Sequence, residues 1–179
     1  MQLPSLVFSR LIAGLIATVV LTCLLAAGAL TPISSSDAEQ MAEWLKDMAS
    51  GLVQSPLGIF LNNLAASLLM MVPALGIGLA AYIVYQTGLV IAAISASSRI
   101  PAVFSLLVPF VTLYGFVEML AYGFAVSESF YLASAAVRKR FGRELRILPF
   151  VVAVVVGLLA LAAVIEWSLI AFFQRFSPS

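Results

Sequence analysis

Long runs of apolar residues, separated by short polar turns, extend over most of the chain. A helix that crosses a bilayer needs about 20 consecutive apolar residues, and several of these runs reach or exceed that length. The pattern therefore predicts an all-α, polytopic helical membrane protein, with a single transmembrane domain over 1–179. About four full spans are predicted, at about 7–30, 58–84, 102–137 (broken) and 147–172, together with a short segment at about 88–98.

The region 57–98 has no charged residue. It is too long for one span, because a helix rises about 1.5 Å per residue and the hydrocarbon core is about 30 Å thick. Pro73, with the two glycines that follow it, is one weak point, and the polar stretch Tyr85–Gly88 is another. We predict the break at Tyr85–Gly88, which leaves 58–84 as a full span and 88–98 as a short or re-entrant segment.

The run at 102–137 also exceeds the length of one straight crossing. We expect a broken helix there, because a proline, two glycines and two glutamates interrupt the apolar pattern. These residues are Pro109, Gly115, Glu118, Gly123 and Glu128.

The connector at 31–56 is the longest polar segment. Ser36 and Glu39 match a capping box, so a helix is expected at about 37–53. Apolar residues recur along it at helical spacing, and its other side is mostly acidic. This pattern predicts an extracytoplasmic amphipathic helix, which lies either on the membrane surface, with Trp44 at the headgroups, or on the protein's own loops.

Composition and charge narrow the function classes. The 179 residues are 63% hydrophobic and 9% charged, against about 45–50% and about 25% in ordinary globular chains. A net charge of +1 gives no basic field for nucleic acid. There is no histidine, Cys23 is the single cysteine, and no serine lies in a G-x-S-x-G motif. We therefore predict no enzyme activity, no metal site and no cofactor.

The distribution of basic residues predicts the orientation. The loop at 138–146 carries five Lys/Arg residues, and such loops stay in the cytoplasm. Arg10 places the N-terminus on the same side, whereas the connector at 31–56 has only Lys46 and is expected outside. The sequence thus predicts a multi-pass protein of the plasma membrane, with the C-terminus outside.

Polar residues inside the apolar runs are candidate functional residues, because ionisable groups in a span are costly. Asn62 and Asn63 are adjacent amides, and an unpaired buried amide costs roughly 2–7 kcal/mol. Tyr114, Glu118 and Tyr122 lie four apart and share a helix face. We predict a polar clamp between helices, in which a neutral Glu118 carboxyl donates to an amide oxygen. A proton or ion pathway through Glu118 is the alternative. Two other glutamates are expected near the membrane interface: Glu128 and Glu166.

Small residues four apart allow helices to approach closely in lipid. Gly14 and Thr18 form one such pair in the first span. A longer ladder is predicted to be an association face for another protein or a second copy, with packing inside the protomer as the alternative. The ladder consists of Ala121, Ala125, Ser129 and Ala133.

Two motifs resemble those of a known family of bacterial and archaeal membrane proteins, the stage II sporulation protein M family (DUF95). The first is "PLGIFLNNL", Pro56–Leu64, followed by a glycine-bearing apolar span and "YQTG". The second is "LYGFVEMLA", Leu113–Ala121, which is similar to the family pattern P-H-G-x-F-E-x-P-A. Tyr114 replaces the histidine of that pattern, and leucines replace both prolines. The resemblance covers about 56–125.

The resemblance implies a role in assembly. The best-known family member is the membrane component of a peptidoglycan-remodelling complex and recruits partner enzymes. We therefore predict a non-catalytic scaffold subunit that binds lipid and either other membrane proteins or a second copy of itself. The alternative is a small transporter or channel-like protein that uses broken helices around Gly76, Gln86 and Glu118. An accessory subunit of a respiratory or secretion complex is a third hypothesis.

Overall fold

The structure is a computed structural model that describes residues 3–34, 36–41, 43 and 55–176. These residues form α-helices joined by short turns. A helical turn at 36–41 lies between the first two labelled helices. In chain order the helices are α1 (Leu3–Ala29), α2 (Pro56–Met70), α3 (Leu75–Ser98), α4 (Ala102–Val111), α5 (Tyr114–Val137), α6 (Phe141–Glu144) and α7 (Leu148–Phe176).

Four helices are long and apolar enough to cross a membrane. They are Phe8–Ala29 of α1, the whole of α3, the whole of α5, and Leu148–Arg175 of α7. With 15 and 10 residues, the apolar helices α2 and α4 are shorter than the about 20 residues of a usual crossing. The protein is therefore a polytopic helical membrane protein, and the predicted fold class is confirmed.

The chain breaks between α2 and α3 at residues 71–74, so the predicted order of a long span at 58–84 and a short segment at 88–98 is wrong. Pro73 has no N–H to donate, and Ala74 adopts a left-handed φ of 64°. Gly76 then lies so close to α2 that a Cβ there would be 2.0 Å from the Met70 carbonyl oxygen. The short helix therefore comes first, and the long one follows.

The polar stretch at 85–88 stays helical, and its polar side chains all find partners; the Tyr85 hydroxyl pairs with the Thr31 hydroxyl at 3.1 Å, and the other two bond within α3. Gln86 donates to the Tyr82 hydroxyl at 3.1 Å, and the Thr87 hydroxyl donates to the Ile83 carbonyl at 2.9 Å. Both bonds join residues four apart on one helix, so these side chains find partners without a break in the backbone.

The predicted break in 102–137 is confirmed between α4 and α5. Leu113 has a left-handed φ of 70°. Gly115 lies against α4, where an added Cβ would be 2.6 Å from the Cβ of Pro109. Pro109 and Gly115, two of the interruptions noted in the sequence, thus lie on either side of the turn.

The connector is described only in part. Ser34, rather than Ser36, caps the helical turn, because the Asp37 N–H donates to its hydroxyl oxygen at 3.2 Å. Most of the predicted amphipathic helix at 37–53, including Trp44, lies outside the described residues.

Helix α5 is the centre of the bundle and packs against α1, α7 and α2. Half of the residues in its 18-residue apolar stretch are buried inside the protein, against 28% in the corresponding stretch of each of the other three spans. Gly14 and Thr18 of α1 meet Gly123 of α5 so closely that a Cβ on Gly123 would be 2.1 Å from the Thr18 hydroxyl oxygen. The predicted close approach at Gly14 and Thr18 is therefore confirmed.

The ladder predicted as an association face lies inside the protomer instead. Ala121, Ala125 and Ser129 are fully buried, and the Ser129 hydroxyl donates to the Val72 carbonyl at 2.6 Å. Ala133, at the end of the ladder, is partly exposed. The association prediction is wrong for the three buried residues, because their small size is used to pack α5 against its own neighbours.

Candidate acidic site between helices α5 and α7

Two glutamates from facing helices, Glu118 of α5 and Glu166 of α7, lie near each other. Their carboxyl groups are close enough to repel each other electrostatically. Both carboxyl groups also interact electrostatically with the Tyr114 hydroxyl. The short connection between α5 and α7 explains this placement. Glu118 precedes the end of α5 by nearly as many residues as Glu166 follows the start of α7, so an antiparallel pair brings them to similar depth.

The two carboxyls have different partners. Glu118 accepts a hydrogen bond from the Tyr122 hydroxyl at 2.6 Å, one helical turn away. Glu166 makes no hydrogen bond or ion pair with any residue that the structure describes. Among the described residues, Glu166 therefore lacks a hydrogen-bond donor such as the one that Tyr122 provides to Glu118.

A groove of about 460 Å³ lies beside Glu166. Its wall combines polar groups from the α4–α5 turn and from α7 with apolar side chains. Thr112 and Tyr114 provide hydroxyls, and Gln174 provides an amide. The complete lining is Val108, Thr112, Tyr114, Glu166, Leu169, Ile170, Phe173 and Gln174. The break between α4 and α5 therefore builds one wall of the groove.

The predicted clamp residues are divided between two places. Tyr114 and Glu118 belong to the acidic site. Asn63 is largely buried on α2, and Asn62 donates to its side-chain oxygen at 3.4 Å. No hydrogen bond between the described residues joins either amide to Glu118, which takes its partner from its own helix.

The residues named for a transport site lie apart from one another. Of these, Glu118 belongs to the acidic site. Gly76 lies at the turn between α2 and α3, where it contacts Met70. Gln86 is partly exposed on α3 and bonds to Tyr82.

Sequence reasoning assigned Glu166 to the membrane interface and missed its place beside Glu118. A signal was available in the sequence. Two spans joined by a short basic loop must be antiparallel, so residues equally far from that loop lie at the same depth.

A second polar cluster ties α1 to α5 and α6. The Arg10 guanidinium donates to Glu128 and to Glu144, and it lies 4.4 Å from the centre of the Tyr131 ring. Glu128 is almost completely buried inside the protein and is joined through Arg10 to Glu144 of the basic loop; its predicted depth near the membrane interface stays a prediction. Because one guanidinium holds carboxylates of α5 and α6 against α1, this cluster is interpreted as structural.

The donor set of the acidic site does not suit a multivalent metal ion. No group of three or more His, Cys, Asp or Glu side chains occurs within the described part of the chain, whereas Ca²⁺ takes six to eight oxygen ligands. The two carboxyls with adjacent hydroxyls are better matched to a proton or a monovalent or organic cation.

Comparison with known proteins gives no match to a family model, to a curated protein or to a solved structure.

Proposed function

We propose that the protein is a small transporter or channel-like membrane protein in which Glu118 and Glu166 bind a proton or a cation. The observation that carries the proposal is the placement of two glutamates on helices that pack against each other, with Glu166 lining an open groove. Ionisable residues within a span usually mark an ion pathway, a proton relay or a substrate site. One carboxyl alone supports a structural role equally well, and the second favours ligand binding.

The broken helices support the same function. Transporter sites are commonly built where helices are interrupted in the membrane. Here the interruption between α4 and α5 places Thr112 and Tyr114 on the groove wall. Non-helical backbone at membrane depth is tolerated where it lines a cavity or is covered by protein, and this turn has the groove beside it.

Flux measurements test the proposal. Purified protein in liposomes that contain a pH-sensitive or a Na⁺-sensitive dye is expected to admit protons or Na⁺, respectively, faster than protein-free liposomes under an imposed potential. Glu118→Gln and Glu166→Gln should each reduce that flux to the protein-free level, because both remove a charge from the pathway. Glu39→Gln is the matched control, since Glu39 is exposed in the connector. Equal flux in all four proteins, or no flux above protein-free liposomes, contradicts the proposal.

A scaffold role remains the second candidate, and helix α4 favours it. None of its residues is fully buried, and five of its large apolar side chains are 47–76% exposed, whereas Leu106 and Phe110 pack partly against the core. A partner that covers α4 would fit the assembly role implied by the resemblance to the stage II sporulation protein M family. A mild-detergent pull-down tests this role: the parent protein should retain one stoichiometric membrane protein that Phe104→Ser loses. Identical pull-downs argue against this role for α4.

We further propose that the protein lies in the plasma membrane with its N-terminus and the 138–146 loop in the cytoplasm. Arg10, near the start of α1, pairs with Glu144 of that loop. This contact supports a common side for both segments, which requires the 15-residue α2 to return the chain across the membrane between α1 and α3. The turn after α2 lies at the Arg10 end, because Ser129, next to the Arg10 partner Glu128, donates to the Val72 carbonyl. The basic residues of the loop favour the cytoplasm.

Cysteine labelling is expected to confirm this orientation. In a Cys23→Ser background, an impermeant maleimide should label Lys46→Cys on intact cells. Lys139→Cys should react only after the cells are permeabilised, because its loop faces the cytoplasm. The opposite labelling pattern would show that the orientation is inverted.

A further inference from the structure

The groove beside Glu166 presents negative charge and apolar surface together. Glu166 provides its one carboxyl, and the lining includes no lysine or arginine. Thr112, Tyr114 and Gln174 add oxygen atoms that can accept hydrogen bonds. The remaining wall is aliphatic and aromatic: Val108, Leu169, Ile170 and Phe173.

This combination excludes several ligand classes. An anion would meet the Glu166 carboxylate without a compensating cation. A neutral apolar molecule would leave that carboxyl dehydrated and unpaired, which is costly. A small hydrated metal ion would find too few oxygen ligands and would gain nothing from Phe173 or Leu169.

We infer that the groove binds a lipophilic organic cation, meaning an amine or onium group carried on an apolar body. The inference rests on the proposed function and names the substrate class of the same site. The positive charge lies beside Glu166, and the apolar body lies against Leu169, Ile170 and Phe173. The groove volume of about 460 Å³ falls within the range of about 300–1,000 Å³ found for small-molecule sites.

The depth of Glu166 favours a cation dissolved in the bilayer over a lipid headgroup. Glu166 lies ten residues before the end of α7 at Phe176, which is roughly 15 Å along the helix. Gln174, at the far end of the lining, is closer to that terminus. A headgroup held at the membrane surface would reach Gln174 before Glu166, whereas a lipophilic cation can enter the groove from the hydrocarbon.

Two probes of the same shape and opposite charge test the inference. Tetraphenylphosphonium and tetraphenylborate have similar apolar bodies, so only charge recognition separates them. In calorimetric titrations of the purified protein in an uncharged maltoside detergent, the phosphonium should bind at least about tenfold more tightly than the borate. Glu166→Gln should remove this preference, whereas Glu39→Gln should retain it.

The comparison of the two probes on the unaltered protein does not depend on whether a variant folds. Equal binding of both ions, or preference for the borate, overturns the inference. So does displacement of the phosphonium by added phosphatidylethanolamine, since the occupant would then be a lipid headgroup. If proton flux depends on the two glutamates but the phosphonium does not bind, the proposed function stands and only the assignment of a lipophilic cation as the substrate is overturned. Phosphonium binding that depends on Glu166, without any flux, supports the site and contradicts transport.

Discussion

Replacing Arg10 with methionine is expected to destabilise the protein strongly. Glu128 is 1% exposed, and its second carboxylate oxygen has no partner among the described residues. Removing Arg10 would therefore leave a buried charge without a counter-ion, a change that typically costs about 3–5 kcal/mol. Unfolding by sodium dodecyl sulfate in mixed micelles, followed by circular dichroism, measures the loss.

Two further variants separate the contribution of the buried Arg10–Glu128 pair to stability from the contribution of Glu144. Glu144→Gln should cost much less, because the Glu144 side chain is 18% exposed and can be hydrated. Adding Glu128→Leu to Arg10→Met should restore most of the lost stability, since the double variant buries no charge. If Arg10→Met alone is as stable as the parent, the cluster does not hold α1 against α5.

Gly88→Leu is expected to separate α1 from α3. A Cβ at position 88 would be 2.3 Å from the Leu25 carbonyl oxygen and 2.8 Å from the Cα of Gly28. These contacts are with backbone atoms, which cannot move aside as a flexible side chain can, so the cost should reach or exceed the usual 1–3 kcal/mol or so of overpacking. A lower midpoint of thermal unfolding in detergent, read by size-exclusion chromatography, would report it.

Gly78→Leu is the matched control. Gly78 lies on the same helix, and a Cβ there would meet no atom within 4 Å. Both substitutions raise helix propensity to the same degree, so the difference between them isolates the contact with α1. Equal unfolding midpoints for the two variants would contradict the close approach at Gly28 and Gly88.

The sequence predicted the elements that depend on local pattern. Apolar run length identified the membrane helices, and Pro109 with Gly115 marked the break before α5. The break before α3 was misplaced because Gln86 and Thr87 were interpreted as a wet boundary. In the structure their polar groups bond to residues one turn earlier on α3, and no local rule distinguishes that outcome from a turn.

The association face was predicted wrongly for a different reason. Ala121, Ala125 and Ser129 have the same four-residue spacing whether they face a second protein or a helix of the same chain. Their burial is decided by α1, α2 and α7, which contact α5. Only the tertiary arrangement separates these alternatives, as it also does for the pairing of Glu118 with Glu166.

The proximity of Glu118 and Glu166 is the central claim, and it can be measured by cross-linking. Both residues are changed to cysteine in a Cys23→Ser background. The protein is treated with a thiol-to-thiol reagent that spans about two helical turns. It is then digested with trypsin at the basic 138–146 loop. A bridge between positions 118 and 166 should keep the α5 and α7 fragments joined on a denaturing gel. The control pairs position 118 with Val164, which is 58% exposed, and should give separate fragments. Separation of the 118–166 pair, with both cysteines individually reactive, would contradict the account.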